Sequence, residues 1–119
     1  MNPEDKFISL DLETTGLEVD KEEIIEVGIV LFDNGEPVKE YTSTVNPGKS
    51  VSDNVLIITG ICQDELDRSL DFNEIKPEIE DFIRDYPIIG HNISFDIAFL
   101  EKHFPVKNIY HDTLLLSRI

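Results

Sequence analysis

A chain of 119 residues, 40% hydrophobic and carrying seven Phe and three Tyr, is long enough for one domain with a buried core and too apolar for wholesale disorder. Its 25 acids against 10 bases leave a formal charge of −15, which excludes a protein that grips nucleic acid through a broad basic surface. Acidity leaves open an enzyme that meets a phosphodiester through divalent metals, since carboxylates are the hard oxygen ligands magnesium takes. No apolar run has the length of a membrane span, and Met1-Asn2-Pro3-Glu4-Asp5-Lys6 lacks the basic and apolar regions of a signal peptide. One cysteine, Cys62, excludes an intramolecular disulfide or a Cys-rich zinc site. The expectation is a single cytoplasmic domain over residues 1–119, with no membrane partner.

Phe7 to Glu13 predicts the first strand, with Ile8, Leu10 and Leu12 on one face and Ser9, Asp11 and Glu13 on the other. Thr14-Thr15-Gly16 ends it, and Glu18 to Glu23 reads as a charged loop. A second strand is expected from about Ile24 to Phe32. Asp33-Asn34-Gly35 signals a hairpin, because Asn and Gly tolerate the positive φ of tight turns. The third strand, about Val38 to Val45, then pairs antiparallel with the second, and Asn46-Pro47-Gly48 stops it.

From here the period becomes helical. Val55 to Ile58 predicts a short helix with a stop at Thr59-Gly60. A longer one carries Phe72, Ile75, Ile79, Phe82 and Ile83 at spacings of three and four, with Asn73 as its expected cap and Pro77 at the fourth helical position. The segment from Gln63 to Tyr86 holds nine acids and three bases, a solvated face that DNA should avoid. Ile88 to His91 reads as a buried fourth strand. A helix follows from Asn92–Ser94, buries Ile93, Ile97, Leu100 and Phe104, and is closed by Pro105. Asn108 to His111 reads as a fifth strand, and Asp112-Thr113 as the start of a last helix through Leu114, Leu115 and Leu116. The order βββααβαβ(α) fits an α/β sheet with an antiparallel three-stranded start.

Asp11 and Glu13 project from one face near the end of a strand, and two such charges repel unless a cation or solvent neutralises them. Asp96 lies in an otherwise apolar first helical turn, where negative charge also complements the helix dipole. If the first strand's end and this helix's start share a sheet edge, three carboxylates from two segments converge, as a pair of magnesium ions requires.

Together these residues resemble the DnaQ-like (DEDD) family of 3′–5′ exonucleases, on the ribonuclease H-like fold. Asp11-Leu12-Glu13-Thr14-Thr15-Gly16 is similar to that family's first motif and His91-Asn92-Ile93-Ser94-Phe95-Asp96 to its second. Asn46-Pro47-Gly48 and Thr59-Gly60-Ile61 resemble the segment leading into the substrate-binding helix, and Asp112-Thr113-Leu114 a landmark after strand five. The resemblance implies a mixed five-stranded sheet flanked by helices. It also implies hydrolysis of phosphodiesters with two Mg²⁺ or Mn²⁺ ions, releasing nucleoside monophosphates from a 3′ end. Asp11, Glu13 and Asp96 would be the catalytic metal ligands. Thr14, Thr15, Gly16, Ile61, His91, Asn92 and Phe95 would meet the terminal nucleotide, with weak sequence preference because stacking and apolar contact tolerate every base. The implied partners are a single-stranded DNA 3′ end, or RNA, and a polymerase or larger parent polypeptide in a proofreading or repair role, as in the epsilon type of DNA polymerase III.

The family's third motif, with a fourth metal-binding Asp and a general-base His, is expected beyond Ile119. His91 is read as positioning the second motif, His103 as a helix-end dipole partner and His111 as a polar neighbour of Asp112; none is taken as the base. Cys62 is expected to be inert packing. The chain is therefore expected to be a C-terminally truncated exonuclease domain, with a homodimer as one way to cover the apolar Leu114–Leu116 stub. The alternative is a catalytically silent fold that binds metal or a nucleotide end, or acts as an interaction module.

Overall fold

The structure, a computed structural model, describes residues 6–113. Strands β1 (Lys6–Thr14), β2 (Ile24–Asp33) and β3 (Glu36–Thr44) are followed by helices α1 (Asp53–Thr59), α2 (Gln63–Asp67) and α3 (Phe72–Ile83). Then come β4 (Ile88–Gly90), α4 (Ile93–Leu100) and β5 (Tyr110–Asp112). The five strands form one sheet in the order β3-β2-β1-β4-β5. β1, β2 and β3 pair antiparallel, and β4 and β5 run parallel to β1. This is the expected mixed sheet.

The alternation of β1 sets its register. Ile8, Leu10 and Leu12 lie opposite Leu31, Ile29 and Val27 of β2, and all six are buried. They join residues of α3, β4 and α4 in the larger core. A slip between Glu13 and Thr14 pairs Glu13 with Glu26 and Thr14 with Ile24, leaving Ile25 as an extra residue. Such a bulge re-aims side chains locally. Ile25 accordingly belongs to a second, smaller core with Val51, Ile61 and Leu66. The β2–β3 turn has positive φ at both Asn34 (54°) and Gly35 (79°), the type I′ geometry that matches strand twist.

α1 ends as expected, with Gly60 in the left-handed region and its N–H donating to the Leu56 carbonyl. α2 was not anticipated; only Leu66 of its five residues is buried, so it carries no readable period. The expected cap of α3 is corrected from Asn73 to Asp71. The Asp71 side chain accepts from the Glu74 N–H and the Glu74 side chain accepts from the Asp71 N–H, a reciprocal capping box. Pro77 therefore sits at the sixth helical position rather than the fourth, on an exposed site.

α4 ends at Leu100, short of the expected Phe104. Turns continue the path, with the His103 and Phe104 N–H groups donating to the Leu100 carbonyl, and Phe104 stays buried. β5 begins two residues later than expected; ahead of it the Asn108 side-chain amide donates to the Arg84 and Tyr86 carbonyls. The expected last helix lies, beyond Thr113, outside the described residues. Among the described residues no helix is long and apolar enough to cross a membrane.

One close approach places the site. A Cβ at Gly90 would lie 3.0 Å from the Leu10 carbonyl oxygen and 2.6 Å from Cδ1 of Ile93. Hydrogen at this position is what lets the turn into α4 lie against β1. Gly90→Ala is expected to lower stability by about 1–3 kcal/mol through overpacking, measured as a shift in urea midpoint at unchanged slope.

Candidate active site

Because β4 runs parallel to β1 and leads directly into α4, the C-terminal end of β1 and the first turn of α4 meet at one sheet edge. Asp96 is only 6% exposed, and its Oδ2 accepts a hydrogen bond from the Leu12 N–H at 3.2 Å. Asp96 thus touches the backbone between Asp11 and Glu13. Asp11 is exposed and Glu13 half-buried on the opposite side of the strand from Leu12.

The electrostatics follow from that proximity. Burial, opposed by the Leu12 hydrogen bond and reinforced by the charges of Asp11 and Glu13, pushes the Asp96 carboxyl up to about 7. Glu13 is raised by burial, then by Asp11 and Glu26. Glu26, its cross-strand partner, is raised by burial, then by Glu65 and Asp11. Four carboxylates from β1, β2 and α4 therefore share one field. Among the described residues, no three His, Cys, Asp or Glu side chains are arranged close enough to hold a metal ion. The set nevertheless fits a divalent cation in two respects. All its donors are carboxylate oxygens, and their mutual repulsion is of the kind a bound cation would relieve.

Beside Glu13 opens a groove of about 420 Å³. Its floor is Leu12 to Thr14, one wall is Gly16 and Leu17, and the other is Val55, Ile58 and Thr59 of α1, with Phe95 of α4 closing it. Leu17 and Ile58 are 83% and 81% exposed, so the lips are apolar and open to solvent. Phe95 is half-buried and leans on Phe99, ring centres 4.9 Å apart.

The residues predicted from sequence distribute unevenly around this groove. Thr14, Gly16 and Phe95 line it. The Thr15 hydroxyl instead ties the neck of the following loop, donating to Glu22 and accepting from the Glu23 N–H. Ile61 is buried in the smaller core beneath Val55 and Leu56, outside the groove lining. His91 is exposed; Asn92 takes a left-handed conformation at the start of α4, and its N–H donates to Asp112 at 3.0 Å. Leu17, Val55 and Ile58 were missed. The available signal was an apolar residue directly after the Thr-Thr-Gly turn, and a pair three apart on a short helix.

Of the remaining candidates, His103 stacks on Phe72 with ring centres 3.9 Å apart, and burial lowers its proton affinity. Cys62 is exposed rather than packed in a core: it sits at the N-terminus of α2, with Ile61 taking the buried position.

A mixed five-stranded sheet with carboxylates gathered where β1 meets α4 defines an α/β domain of the ribonuclease H-like class. The fold matches that of Exonuclease I in its apo form with a TM-score of 0.81, at 16% identity, over 97% of this chain and 30% of that one. The residues 8–116 match the family model described as Exonuclease. This chain belongs to that exonuclease family. It is 40% identical to the PolC-type DNA polymerase III of Thermotoga maritima, over 94% of this chain and 9% of the relative. It is 34% identical to the 3′-5′ exonuclease DinG of Staphylococcus epidermidis, over 95% of this chain and 13% of the relative. The chain thus spans about a tenth of the length of these relatives.

Proposed function

We propose that this domain removes nucleotides from the 3′ end of single-stranded DNA by metal-dependent phosphodiester hydrolysis. The observation that carries the reading is the shared field of Asp11, Glu13 and Asp96, with Glu13 lining an apolar-lipped groove. Asp11, Glu13 and Asp96 would hold Mg²⁺ or Mn²⁺. Such ions, when bound, supply an activated water and charge stabilisation for the leaving 3′ oxygen.

The chain's own residues account for the rest. Leu17 and Ile58 offer apolar contact to a terminal base, and Phe95 packs against sugar or base from below. Thr14 on the floor and Gly16 in the wall flank Glu13, where backbone groups approach the substrate. None of these contacts reads a base edge, so the activity should show little sequence preference. With a net charge of −15, attraction to the phosphodiester falls to bound cations rather than to a basic surface. DNA is favoured over RNA by the polymerase relatives, and a replicative or repair polypeptide in the cytoplasm is the setting that fits them.

The test is digestion of a 5′-labelled single-stranded oligonucleotide with Mg²⁺, with Mn²⁺ and with chelator. A metal-dependent ladder shortening from the 3′ end is expected. Turnover that survives chelation, or products cut internally, would overturn the reading.

A further inference from the structure

The loop Thr15–Glu23 carries one lip of the groove and is held from outside by two lysines. Its neck closes on itself, with the Thr15 N–H donating to the Glu23 carbonyl and the Glu23 N–H donating to the Thr15 hydroxyl, each at 2.9 Å. Beyond that the loop packs little of its own: Leu17 is exposed, Val19 is the one residue of the loop packed against the core, and the Lys21–Glu18 pair is fully solvated, with side chains 76% and 66% exposed. Lys102, two residues past the end of α4, donates to the Glu22 carbonyl and pairs with the Glu23 carboxylate at 3.4 Å. Its side chain is 23% exposed and that of Glu23 35%, so this pair is much less screened than Lys21–Glu18. Lys102 also lies over the Phe99 ring, 5.5 Å from its centre. From the other side Lys49 donates to the Lys21 carbonyl at 3.1 Å and pairs with Glu22 at 3.4 Å. The Glu22 carboxylate accepts from Thr15 at 2.8 Å and fills the space where a Cβ on Gly16 would be.

We infer that Lys102, assisted by Lys49, is a positioning residue: it fixes the Thr15–Glu23 loop to α4 and so holds Gly16 and Leu17 against the groove that Phe95 closes. The inference rests on the exonuclease reading. Phe95, Asp96 and Lys102 all come from α4 or the turn after it. One helix therefore sets the groove wall, the buried carboxylate and the anchored lip together. Loosening the lip should weaken capture of the 3′ end while leaving the carboxylates in place, a loss in KM more than in kcat.

The test compares Lys102→Met, Lys102→Arg and Glu23→Gln in oligonucleotide turnover and in amide hydrogen exchange. Lys102→Met is expected to raise KM roughly fivefold with kcat within about twofold, the scale a partly screened ion pair supplies. Lys102→Arg should restore most of it. Glu23→Gln is the discriminating variant, because it removes the ion pair and leaves Lys102 only its bond to the Glu22 carbonyl, while keeping the lysine's charge. A KM raised in Glu23→Gln supports anchoring; a KM lowered or unchanged there means that Lys102 meets phosphate directly and overturns it. The Lys21, Glu22 and Glu23 amides should exchange faster in Lys102→Met, with the β1–β2 ladder unaffected. Unchanged loop exchange overturns the inference even if the wild type proves inactive, which would itself remove only the exonuclease reading.

Discussion

Replacing Asp11 by alanine is expected to lower metal-dependent 3′ degradation by about a thousandfold or more and to abolish thermal stabilisation by Mn²⁺. Asp11 is the exposed member of the carboxylate group, yet it appears in the electrostatic surroundings of Glu13, Glu26 and Asp96 alike. A charge that reaches three other acids is the natural counterpart of a cation set among them. Its removal should cost little in metal-free stability, since an exposed side chain at a strand end makes few packing contacts and its loss relieves repulsion. The variant therefore separates metal binding from folding. Differential scanning with and without Mn²⁺, alongside the oligonucleotide assay, reads both. A variant that still melts higher with Mn²⁺ would remove Asp11 from the ligand set.

The second large effect concerns Asp96, and its sign follows from burial. Its carboxyl is raised from an ordinary value of 3.8 to about 7, so the folded state holds this proton more tightly than the unfolded state does. Stability associated with Asp96 is fully present below about pH 4, falls as pH rises, and is lost once pH passes through 7. The shift corresponds to at most about 4 kcal/mol at pH 8. Asp96→Asn should thus stabilise the metal-free protein in mildly alkaline buffer, by an amount that shrinks to less than half at pH 5. The amide oxygen can still accept from the Leu12 N–H, and the neutral side chain no longer adds a charge to the field of Asp11 and Glu13.

The same substitution should abolish metal-dependent turnover, because a neutral amide is a poor ligand for a hard cation. In the wild type, stabilisation by Mn²⁺ should grow between pH 6 and pH 8, as the ion competes with a proton for Asp96. Urea midpoints of wild type and Asp96→Asn across pH 5 to 8, with and without Mn²⁺, test all of this. Equal stability at pH 8 in the metal-free proteins would show that Asp96 ionises there without cost.

How much of this was legible beforehand depends on how local the cause was. The two-residue spacing of Asp11 and Glu13 on an alternating strand was enough to put both on one face. Asn34-Gly35 was enough for the hairpin, and Gly60 for the end of α1. In each case the deciding interaction lies within a few residues. The motif order also carried the family, and with it the mixed five-stranded sheet.

The chain could not show, residue by residue, what depends on partners far away in sequence. Asp96 reads equally well as a helix-dipole complement; its burial and its hydrogen bond to Leu12 come from a contact 84 residues apart. Ile61 reads as an apolar residue near the substrate helix, and only packing against Ile25, freed by the β-bulge, takes it into the core. Leu17 and Ile58 read as ordinary apolar residues until folding leaves both exposed on facing lips of one groove. Lys102 reads as a solvated lysine until it meets Glu22 and Glu23, 80 and 79 residues away. Sequence alone determined the five strands, three of the four helices, the face that β1 buries and the family. Tertiary structure decided which charges share a field and which apolar groups stay in water, because desolvation and Coulomb energy depend on distance in space and are blind to distance along the chain.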